Sequence, residues 1–475
     1  MPVHWAVGDE STPFSRPFEL RAAEHEVSLR FEGDSQWLPL RLKGSNWAGF
    51  QTSGCVHELW HHDVQEYIDF LGRHRFNLVR LPLAADAVRA PSFRITSRHT
   101  CGALYENWET LSILDDVISR LRAAGVFVML DIHTLDLAEH GVGAWCSQPP
   151  CSQADYSLFS QTWRTLAQRY CSFPNVIMAD LLNEPHKLTW AQWSHFVQQI
   201  GAAVLHECPR WLIVAEGVGD EGGNRRRIDA DPILPSEYDS MTQGSMWWGE
   251  NILGYLDTPI HLPIPDRLVL SPHVYGHDHN KQYLVHESFP DNMPLVWDKH
   301  FGVVGKRTGV PIVIGEWGGV WEDTNLNGRV IPSTAEWQRA LVRYLVEKSI
   351  SSIYWTLNDN SFKTGSLFDG PHSREKLQNM KQLPSTLIVE LQHAIGQARL
   401  PTTAASMSST LPATSWPGHS FSSTSCIDGV WGRDNGWSFC STKKEADPWL
   451  SVQIPAESSV SSVLVHGSAS PIRST

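Results

Sequence analysis

No run of about eighteen consecutive apolar residues occurs in this chain, so a membrane-spanning helix is not expected. The opening stretch Met1 to Glu10 lacks the basic start and apolar core of a secretory signal, and none is visible. A CxxC metal or redox motif is also missing. Of the eight cysteines, Cys146 and Cys151 flank Pro149-Pro150, and Cys426 lies near Cys440, spacings that allow local disulfides. Cys55, Cys101, Cys171 and Cys208 stand open between free buried thiols and bridges. Positive charge is in short supply. Lys plus Arg number 38 against 51 Asp plus Glu, a formal charge of −13, which argues against nucleic acid and anionic membrane as partners and suits an uncharged one. No Gly-rich phosphate turn is found, which disfavours a doubly wound nucleotide-binding sheet.

Tryptophan, by contrast, is abundant: 21 residues, more than the 17 Phe or the 10 Tyr. Indoles offer broad apolar faces with a polar edge, suited both to cores and to the faces of sugar rings. Two acids stand out beside them. Glu184 follows the apolar run Val176 to Leu182 within Asn183-Glu184-Pro185, and Glu316 closes Pro311 to Gly315 ahead of Trp317-Gly318-Gly319. An apolar strand that stops abruptly at an acid puts that acid at the strand's C-terminal edge, where barrel enzymes do their chemistry. Two such carboxyl groups facing one ring are what glycoside hydrolysis requires; two buried structural acids are the plainer alternative.

A strand-then-helix rhythm runs through most of the chain. Strands are expected at 38–42 leading into Gly44-Ser45-Asn46-Trp47, then at Phe76 to Leu83, Val126 to His133, Val176 to Leu182, Trp211 to Glu216, Leu268 to Tyr275, Pro311 to Glu316 and Ser351 to Asn358. Amphipathic stretches such as Leu111 to Leu121 and Trp337 to Val346 lie between them. Short, wholly apolar strands alternating with helices indicate a parallel sheet buried on both faces, and eight units predict a closed (β/α)8 TIM barrel. The expected division is an N-terminal extension over 1–26, a catalytic barrel over 27–398, a Ser/Thr/Pro linker over 399–414 and a short, incomplete β-rich segment over 415–475.

Asn183-Glu184-Pro185, His273-Val274-Tyr275, Glu316 and Trp355, in this order at strand ends, resemble glycoside hydrolase family 5, in the retaining clan of barrel hydrolases. Arg80 in Val79-Arg80-Leu81-Pro82 and His133 in Leu130-Asp131-Ile132-His133 fit the same pattern. The stretches Gly44 to Phe50, Val214 to Gly219, Leu270 to Gly276 and Tyr354 to Asn358 point further, to cellulase-like endoglucanases. The resemblance implies Glu184 as acid/base and Glu316 as nucleophile, with Asn183 on the sugar 2-hydroxyl, Tyr275 and Arg80 donating to Glu316, and Trp355 beneath the sugar. His133, His273, Trp47 and Glu216 complete the expected substrate-binding set. It implies an extracellular location. Near the other end, Cys426-Ile427-Asp428-Gly429 and Asp447 to Val452 resemble the opening of a discoidin-type (coagulation factor five/eight type C) sandwich, a kind of module that commonly binds sugars or surfaces.

Plainer roles exist for several of these residues. Arg80 could be a structural ion-pair partner, His133 and His273 core histidines or metal ligands, and Glu216 a cleft-lining or a structural acid. Trp247-Trp248 could be a sugar platform or loop packing. No strand offers a His pair, so no catalytic metal or other cofactor is expected. The reading is a monomeric, retaining, endo-acting hydrolase of β-linked glucan, β-1,4-glucan first. The alternatives are the same chemistry on mannan or mixed-linkage glucan, and a non-catalytic carbohydrate-binding barrel.

Overall fold

The computed structural model describes residues 13–90, 101–137, 144–146, 150–219, 246, 248–276, 284–326, 329–331, 333–358, 364–392, 429–434 and 437–442. The chain begins with a small antiparallel sheet of β1 (Phe18–Ala23), β2 (Glu26–Phe31) and β3 (Leu38–Pro39), with Leu20 opposite Leu29. The parallel sheet follows as β4 (Lys43–Asn46), β5 (Leu78–Ala84), β6 (Phe127–Thr134), β7 (Val176–Asp180), β8 (Leu212–Glu216), β9 (Leu268–Ser271), β10 (His273–Tyr275) and β11 (Val313–Gly318). A short hairpin, β12 (Thr324–Leu326) with β13 (Arg329–Ile331), precedes the last stave, β14 (Ser351–Tyr354). The sheet order β10-β11-β14-β4-β5-β6-β7-β8-β9 is that of a (β/α)8 TIM barrel, and the Leu270 N–H donates to the Pro311 carbonyl (3.0 Å) to complete the ring.

Eight staves appear as nine segments because Pro272 divides the sixth. Proline has no N–H to give the ladder, so pairing lapses there, although its carbonyl accepts from the Gly315 N–H (3.1 Å). Helices between the staves begin where short polar side chains can accept the first free N–H groups. Asp63, Ser152 and Thr189 each form a capping box, opening Val64–Arg73, Gln153–Tyr170 and Trp190–Glu207. The two amphipathic stretches read from the sequence lie in Thr110–Ala123 and Ala335–Lys348.

Two apolar layers hold the barrel. Between staves and helices lie residues such as Val79, Leu81, Ile118, Trp163, Trp193 and Leu341. Inside the ring, Leu78, Met129, Met178, Val214, Val269 and Ile353 pack with Leu20, Leu29 and Phe31 of the antiparallel sheet. Phe14 meets Phe127 edge-on at 5.1 Å. The N-terminal sheet therefore plugs the barrel's lower mouth, and the boundary expected at residue 26 is corrected: Ala23 pairs with Glu26, so it would cut a hairpin that belongs to the core.

Three disulfides join Cys55–Cys101, Cys146–Cys151 and Cys171–Cys208, with Cα separations of 5.9, 5.5 and 5.5 Å. The four cysteines left open by their spacing are thus bridged, because the fold brings together residues that are far apart in sequence. The chain divides into units 1–401 and 402–475. In the second, one antiparallel hairpin is described, β15 (Gly429–Asp434) with β16 (Trp437–Thr442). The linker expected at 399–414, the runs Trp449–Ile454 and Val460–Val465, and Cys426 lie outside the described residues.

Candidate active site

Parallel staves all present their C-terminal ends to one face, so residues at those ends converge although they are remote in sequence. Glu184 follows β7, Glu316 lies in β11, and carboxylate oxygens of the two lie within 4.8 Å of each other, together with a His273 nitrogen. A retaining pair stands about 5–5.5 Å apart and an inverting pair at least about 6.5 Å. This spacing belongs to the first.

Arg80, on β5, is fully buried and forms the hub beneath these acids. Its Nε donates to Asp180 (2.9 Å), one terminal nitrogen to Asn46 (2.9 Å) and Glu316 (2.8 Å), and the other to Asn183 (2.9 Å) and Glu216 (3.0 Å). Asp131 stands 2.9 Å from the same guanidinium and 2.8 Å from His133 Nδ1. The Tyr275 hydroxyl donates to the second oxygen of Glu316 (2.8 Å). His273 Nδ1 lies 3.2 Å from Glu184 and 3.6 Å from Glu316, while its Nε2 makes a 3.2 Å ion-pair contact with Glu216.

This arrangement fixes charge. Burial alone would raise the Glu316 pKa, but His273 and Arg80, helped by His133 and the Tyr275 hydrogen bond, hold it below the ordinary glutamate range. Burial alone would also discharge His273, yet Glu216 and Glu316 outweigh it and keep the imidazolium well past its usual range. Glu216 moves the other way: burial, with Asp180 nearby, pushes it up against the pull of His273 and Arg80. Two triplets, Asp180–Glu216–His273 and Glu184–His273–Glu316, are close enough to hold a cation. Arg80 already bonds Asp180, Glu216 and Glu316 and compensates their charge.

The local backbone is built for this. Glu184 adopts a left-handed φ of 44°, and its N–H donates to Glu216 Oε2 (2.7 Å). Gly249, at φ 78°, brings its loop against the same pair: its carbonyl accepts from Gly217 (2.9 Å) and His273 (3.1 Å). A Cβ there would come within 3.0 Å of Glu216 and 3.1 Å of His273, so only glycine fits without displacement. His133 stacks on Trp355 (5.3 Å, 15°), and the His186 ring stacks on Trp248 (3.7 Å, 7°) while its Nδ1 bonds the Glu184 carbonyl (2.8 Å).

All ten residues read from the sequence lie in the described structure, but not all can touch a ligand. Trp47, Arg80, Glu216 and His273 are fully buried, which corrects their placement among substrate contacts. Trp47 packs on Tyr67 (5.1 Å), while Arg80 bonds Glu316, Glu216 accepts from the Glu184 N–H and His273 lies against the Glu184 carboxylate. Trp248 has one face taken by His186, and Trp247 is outside the described residues. Asn46, Asp131, Asp180 and Trp193 also belong to this network beyond the expected set; Trp193 donates from its indole to the Glu216 carbonyl (2.8 Å). A signal existed for two of them: Asp131 and Asp180 are acids set in the largely apolar runs Val126 to His133 and Val176 to Leu182, a costly position unless a cation waits there.

A family model for cellulases, glycosyl hydrolase family 5, matches residues 37–361. The major extracellular endoglucanase of Xanthomonas campestris pv. campestris is 32% identical over 367 residues, 75% of this chain and 69% of that protein. An endoglucanase of Paenibacillus polymyxa is 31% identical over 337 residues, 69% of this chain and 77% of the other. Among solved structures, an endocellulase from Pyrococcus horikoshii in complex with cellotetraose superimposes with a TM-score of 0.64 at 28% identity, covering 77% of this chain and 98% of that one. The catalytic domain of the Xanthomonas enzyme gives 0.62 at 30% identity, covering 77% and 99%. The family match ends at residue 361, and the discoidin-type resemblance further on finds no support in these comparisons.

Proposed function

The chain belongs to the cellulase family, glycosyl hydrolase family 5, and from that premise we propose that it cleaves β-1,4-glucan internally, with Glu316 as nucleophile and Glu184 as acid/base. The retaining endo-β-glucanase activity is the family's. The observation that supports the residue roles is the pair of carboxylates within 4.8 Å at the ends of two staves, with Glu316 gripped on both oxygens by Arg80 and Tyr275.

In the first step an oxygen of ionised Glu316 bonds the anomeric carbon as the glycosidic bond breaks, and Glu184 gives its proton to the departing sugar oxygen. In the second, Glu184 takes a proton from water, the water oxygen bonds the same carbon, and the Glu316 ester is released. Two inversions leave the anomeric configuration retained. Asn183, which is 4% exposed and bonded through its carbonyl oxygen to Arg80, keeps its amide N–H groups for the sugar 2-hydroxyl. Trp355, braced by His133, supports the ring. The three disulfides favour an oxidising compartment, in keeping with secretion.

The test compares Glu184→Gln and Glu316→Gln on carboxymethyl cellulose, lichenan and mannan, and on an aryl glucoside whose leaving group needs no proton. Both variants are expected to lose several orders of magnitude on polysaccharide, with the aryl substrate restoring glycosylation in Glu184→Gln alone. Equal rescue in both would reverse or dissolve the assignment. Faster turnover of mannan than of either glucan would move the substrate instead.

A further inference from the structure

The active site occupies the C-terminal ends of the staves. On the flank of the barrel, between the helices Val64–Arg73 and Ser373–Met380 and reaching to the start of β4, lies a cavity of about 680 Å³ that the hydrolytic chemistry does not use. Its lining is cationic in a chain whose formal charge is −13: Lys43, Arg73, Arg75, Arg374 and Lys381 converge there with Asp369 as the opposing acid. They come from separate elements: the start of β4, the end of the helix Val64–Arg73 and the turn after it, and the helix Ser373–Met380 with its cap.

Lys43 is the key group. It is only 5% exposed, and its ammonium lies 4.8 Å from the Phe76 ring centroid and donates to the His74 carbonyl (2.9 Å). Among the described residues no carboxylate stands within 4.0 Å of it, so this buried cation has one acceptor for three N–H groups and no counterion. Burial, with the Arg75 guanidinium nearby, pushes it down to about 8. His74 is likewise lowered by burial and by Lys43 and Arg73. The Ser385 hydroxyl, also in the lining, is buried without a hydrogen-bond partner. Arg75 is accounted for by a two-pronged bond to Glu390 (2.8 and 2.9 Å). Capping the helix that ends at Arg73 uses one ammonium proton of Lys43 and explains neither Arg374 nor Lys381. A buried ammonium left unpaired is costly, and an entering anion relieves that cost.

We propose that this cavity binds an oxyanion, a carboxylate, sulfate or phosphate group, with Lys43 at its base and Arg73, Arg374 and Lys381 around it. A free inorganic anion and the carboxylates of an acidic polysaccharide share that chemistry. None of the proposed catalytic residues lines this cavity, so its occupancy leaves the cleft open to glucan.

Titration calorimetry on the full chain, using sodium phosphate, sodium sulfate and an oligogalacturonate separately, tests the site. Saturable binding of at least one is expected, and Lys43→Met should weaken it by about tenfold or more, as should the double variant Arg374→Ala with Lys381→Ala. Soluble-glucan turnover should stay at the wild-type rate in the double variant. Because its substitutions are exposed, that variant reports even where Lys43→Met does not fold. Response to the uronate alone assigns a polysaccharide ligand, and response to the inorganic ions assigns a small one. No saturable binding at millimolar concentration, or unaltered affinity in the double variant, overturns the proposal.

Discussion

Glu184 is held at a φ of 44°, a conformation that costs a non-glycine residue roughly 1–2 kcal/mol. The 2.7 Å bond from its N–H to Glu216 helps hold it there, and Glu216 is in turn pinned by Arg80 and His273. Glu216→Gln should therefore lower kcat on carboxymethyl cellulose by about ten- to a hundredfold while KM changes little, since no substrate contact is removed. A raised KM at unchanged kcat would mean that Glu216 reaches the ligand after all. Tyr275 offers a different test. Its hydroxyl helps keep Glu316 ionised, after His273, Arg80 and His133. A depressed carboxylate is charged above its own pKa and loses that charge only as pH falls through it, so activity should fail on the acid side. Tyr275→Phe removes one charge-assisted hydrogen bond, worth about 1.5–3 kcal/mol, and should move the acid limb of kcat/KM to higher pH with about a tenfold or greater loss. A profile with its acid limb unmoved would take Tyr275 out of this role.

Among the connecting elements, the loops after β4 and β5 are the longest-range case of covalent support. Cys55–Cys101 joins them across a sequence separation of 46, and Gly102 lies so close to the Leu59 carbonyl that a Cβ would clash with it. Closing a loop of that size restricts the unfolded chain by up to about 4 kcal/mol in the entropic account. The paired substitution Cys55→Ser with Cys101→Ser should cost about 2–4 kcal/mol in urea unfolding, with kcat largely kept in the folded fraction. An unchanged midpoint would show that packing between the loops, not the bridge, holds them.

For the whole molecule, the proposed catalytic residues all precede residue 360, within the unit spanning 1–401. Removing residues 402–475 should leave turnover of soluble glucan within about twofold of the full chain, since no catalytic distance depends on them. Steady-state kinetics on carboxymethyl cellulose provides the check, with circular dichroism as the folding control. A large fall in kcat without loss of fold would place part of that unit in the cleft.

The first stave was expected at 38–42 but is Lys43–Asn46, and Leu38–Pro39 pairs with β2 instead. Local pattern alone determined the other seven staves, two of the helices between them and the two proposed catalytic carboxylates. Each is written in a few adjacent residues: an apolar run that ends at an acid, or apolar positions three and four apart. Even the interruption at Pro272 was visible as a proline inside Leu268 to Tyr275. Other features depend on which distant residues meet. The disulfides Cys55–Cys101 and Cys171–Cys208, the plugging of the lower mouth by β1 and β2, and the four-acid surround of Arg80 are such meetings, and ring closure creates them. Burial is the same kind of property. Glu216 and Glu316 read alike as acids closing apolar strands, but closure seals Glu216 behind Glu184 and leaves Glu316 with an edge to the cleft, 4% exposed. A strand's sequence sets where its end lies; its neighbours in the barrel set what that end can reach.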